Sequence, residues 1–120
     1  MKAKVLQTVV ETPEFIRQAK DCMDEVSRQN FVNFIAQNPL AGDLIAGTGG
    51  ARKVRWTSDS HQGKRGGARV IYYYYDQTVP IFLFTAYSKN QKANLSMKEK
   101  NALHSIVKQI VETYKGEDYE

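Results

Sequence analysis

A chain of 120 residues, 42% of them apolar, can close one modest core, so it reads as a single domain spanning residues 1–120. Its 17 Lys and Arg against 13 Asp and Glu give a net charge of +4, and no uninterrupted apolar run is long enough to cross a bilayer. The amino terminus lacks the pattern of a signal peptide and the lone Cys22 has no disulfide partner within the chain, which leads us to expect a cytoplasmic protein.

Residues 4–10 are β-rich and predict a first strand, ending at Glu11-Thr12-Pro13, where Thr12 can cap a helix whose first position is Pro13. The helical pattern then runs to about Gln37 with a break near Asp21, carrying Phe15, Ile16 and Ala19, then Met23, Val26, Phe31, Phe34 and Ile35, at helical spacing. Asn38-Pro39 stops it. Leu40 to Gly50 is a loop punctuated by Gly42, Gly47, Gly49 and Gly50, followed by a strand over Arg52 to Thr57 and a polar loop over Ser58 to Gly67.

Ala68 to Tyr75 is the strongest predicted strand, because β-branched and aromatic side chains suit a pleated surface. A turn at Asp76-Gln77-Thr78 leads to a partner strand, Val79 to Tyr87. The last element is a helix, with a capping box in Ser96 and Glu99 and an apolar stripe of Leu103, Ile106, Val107, Ile110, Val111 and Tyr114. This order predicts an α+β fold, a largely antiparallel small sheet with two N-terminal helices and a C-terminal helix, and one sheet face left open.

The charge is concentrated. Between Arg52 and Arg69 stand Arg52, Lys53, Arg55, Lys64, Arg65 and Arg69 against Asp59 alone, so this segment nets +5 and the rest of the chain sums to −1. A local basic cluster beside aromatics and glycines is the expected footprint of a polyanion site, RNA or DNA. Strand alternation sends Val54 and Trp56 to one face and Lys53 and Arg55 to the other, and groups Arg69, Ile71, Tyr73 and Tyr75 opposite Val70, Tyr72 and Tyr74. If these strands pair as a hairpin, Arg69 comes near Lys53 and Arg55. About half of the four consecutive tyrosines must serve packing instead of binding. Tyr87 ends its strand where the polar, basic loop Ser88-Lys89-Asn90-Gln91-Lys92 begins, a suitable place to stack on an unstacked base.

Other motifs carry less. Gly47-Thr48-Gly49-Gly50 lacks the Gly-Lys-Ser/Thr ending of a phosphate-binding P-loop and opens a strand. His61, His104 and Cys22 make no metal set at any standard spacing, so no metal and no cofactor are expected. His61 reads as a solvent-exposed loop residue and His104 as a helix flank.

The ordered set Glu11-Thr12-Pro13-x-Phe15, Asn38-Pro39-x-Ala41-Gly42-Asp43, Gly47-Thr48-Gly49-Gly50-x-Arg52-Lys53-x-Arg55-Trp56, Gly63-Lys64-Arg65-Gly66-Gly67-Ala68-Arg69-Val70-Ile71-Tyr72-Tyr73 and Ala86-Tyr87-Ser88-Lys89-Asn90 resembles the HigB-type toxins of the RelE superfamily over nearly the whole chain. The resemblance implies a RelE-like fold and the toxin of a type II toxin–antitoxin pair. Such a toxin is a metal-independent endoribonuclease that enters the ribosomal aminoacyl site and cuts mRNA through 2′-hydroxyl attack on the scissile phosphate. Carried over to matching positions, it implies Lys53, Arg55, Arg69, Tyr87 and Lys89 as catalytic residues, with Lys53 a candidate general base. Arg52, Lys64, Arg65, Tyr73 and Lys92 would bind RNA or the ribosome. Its implied partner is a HigA-like antitoxin with a DNA-binding domain. Two other readings stand beside it: a ParE-like poison of DNA gyrase, and a non-catalytic RNA-binding module.

Overall fold

The computed structural model describes residues 6–57 and 67–116. Five strands form one sheet in the order β1-β5-β4-β3-β2. They are β1 (Val9–Glu11), β2 (Asp43–Leu44), β3 (Arg52–Trp56), β4 (Ala68–Tyr73) and β5 (Ile81–Ser88). The helices are α1 (Pro13–Ala19), α2 (Glu25–Gln37) and α3 (Met97–Lys115). The α+β class and the largely antiparallel sheet agree with the sequence reading, with one exception at the edge, where β1 runs parallel to β5.

The N-terminal strand is shorter than expected: Leu6 to Thr8 lie outside it and residues 4 and 5 lie outside the described residues. Thr12 turns the chain from β1 into α1 and fastens both to β5. Its hydroxyl accepts from the Phe15 amide at 3.1 Å and donates to the Leu83 carbonyl at 2.8 Å. Pro13 takes the first helical position, where no amide is needed. The predicted break falls between Ala19 and Asp24, and the Asp24 carboxylate caps α2 through the Ser27 amide. The loop expected from Leu40 to Gly50 contains β2, two residues that the glycines on either side conceal.

On one face of the sheet Phe15, Ala19, Phe31 and Ile35 of α1 and α2 bury Val70, Tyr72, Ile81 and Leu83, with Val54 and Trp56 packed against them. Burial of each large side chain contributes about 1.5–3 kcal/mol. Trp56 packs edge-on to Phe31, ring centroids 5.3 Å apart, while its indole N–H donates to the Ser27 hydroxyl at 3.0 Å. Tyr72 is fully buried because both roles of its hydroxyl are used: it accepts from the Gly42 amide and donates to the Pro39 carbonyl, each at 2.8 Å. A side chain at Gly42 would strike the Lys53 carbonyl and the Tyr72 ring, each 2.8 Å from its Cβ.

The expectation of an open sheet face needs correcting. Leu103, Val107 and Ile110 of α3 cover Ile71, Tyr73 and Phe84 on the second face. The helical stripe is also narrower than its spacing suggested, since Ile106 and Tyr114 are exposed, as is Val26 on α2. Among the described residues, the same face carries exposed Arg55 and half-buried Lys53 on β3 beside half-buried Arg69 on β4.

Candidate active site

Antiparallel pairing between β3 and β4 sets Arg55 directly opposite Arg69 and Lys53 opposite Ile71. Pairing between β4 and β5 sets Arg69 opposite Tyr87. Arg55, Arg69 and Tyr87 therefore form one row across three strands, with Lys53 two residues along β3 on the same face, and directly paired residues hold their Cβ atoms about 4.5–5.5 Å apart. Gly67 makes the entry to β4 possible. Its φ is +79°, and a Cβ there would lie 2.4 Å from the Trp56 carbonyl oxygen.

Tyr87 reaches this row through an irregularity. Tyr72 pairs with Leu83 but Ile71 pairs with Thr85, so Phe84 is an extra residue, a β-bulge. Strict alternation from Ile81 and Leu83 would carry Tyr87 into the α1 and α2 core. After the bulge Ala86 takes that side, and Tyr87 emerges with Phe84 beneath α3.

The structure buries Tyr87, leaving 3% of its surface exposed. The Lys92 ammonium stands 5.1 Å from the centre of its ring and is held by the Glu99 carboxylate. Glu99 also closes the α3 capping box, accepting from the Ser96 amide at 2.8 Å. The Tyr87 hydroxyl is buried and has no hydrogen-bond partner among the described residues. Burial pushes the phenol above its ordinary pKa, with Arg69 opposing and Glu99 reinforcing the shift, so Tyr87 is a neutral O–H donor at pH 7. Glu99 lies below the usual carboxylate range, chiefly through its hydrogen bond from Lys92 and then through that from the Ser96 backbone.

The remaining expected residues scatter. Arg52 projects to the opposite face, where its guanidinium donates to the Gly42 carbonyl at 2.7 Å, while its Nε is buried and unpartnered among the described residues. Tyr73 is 4% exposed in the core under α3, and burial raises its phenol. Lys89 lies exposed in the turn after β5. Lys64, Arg65 and His61 lie outside the described residues. Among the described residues no cluster of three His, Cys, Asp or Glu side chains offers a metal site. Glu99 is the residue that the sequence reading noticed only as a helix cap. Beside Tyr87, a cleft of about 720 Å³ runs between β5, the start of α1 and α3, with Phe82, Phe84, Leu103 and Ile106 in its walls.

Residues 8–117 match the family described as the RelE toxin of the RelE / RelB toxin-antitoxin system. The chain belongs to the RelE toxin family. A solved structure of the E. coli toxin RelE, a double mutant with two arginines changed to alanine in the free state, shares its fold with a TM-score of 0.53 and 14% identity. That match covers 88% of this chain and 98% of the other. Within a RelE toxin fold, the basic residues of β3 and β4 lie on the same sheet face as α3, and no helix among the described residues is long and apolar enough to cross a membrane.

Proposed function

We propose that this RelE-family chain is a ribosome-dependent endoribonuclease of the HigB type, a cytoplasmic toxin that cuts mRNA in the ribosomal aminoacyl site and is restrained by a HigA-like antitoxin carrying a DNA-binding domain. The observation that supports this reading is the row Arg55, Arg69 and Tyr87, with Lys53 on the same face. In the reaction, the ribose 2′-hydroxyl gives its proton to a base, for which Lys53 is the candidate, as its oxygen bonds to the adjacent phosphorus. The bond to the 5′-oxygen breaks and that oxygen takes up a proton from water, leaving a 2′,3′-cyclic phosphate and a free 5′-hydroxyl.

Charge builds on the non-bridging oxygens as that bond forms. Preorganised cations and N–H donors aimed at developing charge are commonly the largest contribution to such a rate. Arg55 and Arg69 carry planar, permanently charged groups that match phosphate oxygens two at a time, and Lys53 adds a compact charge beside them. Tyr87 would supply an aromatic plane for a base once its buried ring is uncovered, and Lys89 a cation at the strand's end, while Lys92, beside the Tyr87 ring, is a further cation for the RNA backbone. The ribosome would align the 2′-hydroxyl with its phosphate, a contribution that free RNA lacks.

Mapping cleavage by primer extension with and without ribosomes tests the proposal. Codon-phased cuts in ribosome-bound message, with little cutting of naked RNA, are expected. DNA breaks dependent on gyrase, as a ParE-like toxin would give, or RNA binding without any cut, would contradict it.

A further inference from the structure

Tyr87 is in the right row for stacking and in the wrong state for it. Its ring is almost wholly buried, packed in the α3 cluster with Phe84 and Leu103 and capped by the Lys92 ammonium 5.1 Å from its centre, so no base reaches it while Lys92 is held there by Glu99. What holds them is slight. The side chains of Lys92 and Glu99 remain 34% and 40% exposed, and an ion pair open to water to that extent contributes about 0.2–1 kcal/mol. Against this, the closed arrangement leaves the Tyr87 hydroxyl buried without a partner among the described residues, a condition that opening to water relieves. The cleft beside Tyr87 provides room for the movement.

We propose that the Lys92–Glu99 pair is a latch that shuts Tyr87 in the resting protein, and that a phosphate of the incoming strand opens it by taking Lys92 from Glu99. This rests on the reading of the basic face as an RNA site. Glu99 then acts as a positioning residue: in the closed form it neutralises Lys92 and holds it over the ring. In the open form Lys92 binds the phosphate, and the uncovered ring meets the base. The pair links substrate binding to exposure of the stacking surface, so the site assembles only when a phosphate is present.

Nitration by tetranitromethane, read tyrosine by tyrosine by peptide mass spectrometry, reports the exposure of Tyr87 in the full chain. Glu99→Gln breaks the ion pair yet keeps the capping box, because glutamine serves at that position. Lys92→Gln breaks it from the other side. Glu112→Gln, on an exposed turn of α3, removes the same charge without touching the latch. Nitration of Tyr87 should rise several-fold in Glu99→Gln and Lys92→Gln and stay at the parent's rate in Glu112→Gln, with buried Tyr72 unreactive throughout. Inorganic phosphate at constant ionic strength should raise Tyr87 nitration in the parent and leave Lys92→Gln unchanged. Unchanged protection of Tyr87 in both latch variants would overturn the latch, and no response of the parent to phosphate would overturn the exchange. Both outcomes are independent of catalysis. If nitration rises while none of these proteins cuts ribosome-bound message, the latch stands and the nuclease reading falls; if the parent cuts and nitration does not change, the reverse holds.

Discussion

The two faces of the sheet use the same alternating strands for opposite ends. On the α1 and α2 face Val70, Ile81, Leu83 and Ala86 are apolar and Tyr72 has both roles of its hydroxyl satisfied by two hydrogen bonds. On the α3 face the apolar cluster takes in Tyr87, and the row continues from it through Arg69 to Arg55, which stand directly opposite one another. Both faces bury a core, and the α3 face also carries the cations of β3 and β4. Substitutions in the α1 and α2 core should therefore change melting and leave the activity of each folded molecule alone, while substitutions of the cations Lys53, Arg55 and Arg69 should do the reverse.

The largest effect expected is on the closed face. Phe31→Ala, at a fully buried site between α2 and Trp56, should cost about 3–5 kcal/mol in denaturant unfolding without changing the cleavage rate per folded molecule. Next is Lys53→Ala, which should slow cleavage of ribosome-bound message about 100-fold and move the Tm by only a few degrees. A Lys53→Ala protein that melts far lower would place Lys53 with the stabilising residues and blur the contrast. Tyr72→Phe should lose about 1–3 kcal/mol, because the Gly42 amide is left without its acceptor.

The smallest effect is on Cys22, half-buried against the α1 and α2 core, where burial first and Asp21 second raise its thiol to about 11. The thiolate population at pH 8 is then about 100-fold lower than at an unperturbed value of 9, so alkylation by iodoacetamide should be slow in the folded chain and rapid in guanidinium. The sign for stability follows: Cys22 leaves stability unchanged below about pH 9, and stability falls as pH rises from 9 toward 11, because only the unfolded chain ionises its thiol there.

Much of this division was legible in the sequence. Period-two alternation alone separated Val54 and Trp56 from Lys53 and Arg55, and Tyr72 from Tyr73, because those stretches of β3 and β4 are regular. The capping box of Ser96 and Glu99 and the helix start at Thr12-Pro13 were equally plain, being local. Other features depend on partners distant in sequence. The bulge at Phe84 inserts one residue into β5 relative to β4, and nothing within Ile81 to Ser88 announces it, yet it decides which face receives Tyr87. Parallel pairing of β1 with β5, and coverage of the second face by α3, are set by packing across the chain. Arg52 joined the basic cluster by composition, and only its place on the opposite face, with its guanidinium on the Gly42 carbonyl, separates it. Glu99 was legible as a cap and not as the partner of Lys92, since the loop between them sets that distance.

The account turns on the cationic row serving cleavage. The most direct test is the initial rate of cutting of ribosome-bound message by Arg69→Ala beside the parent at equal folded concentration. A rate about 100-fold lower or less, with melting unchanged within a few degrees, is the predicted result; a rate within a few-fold of the parent would contradict it.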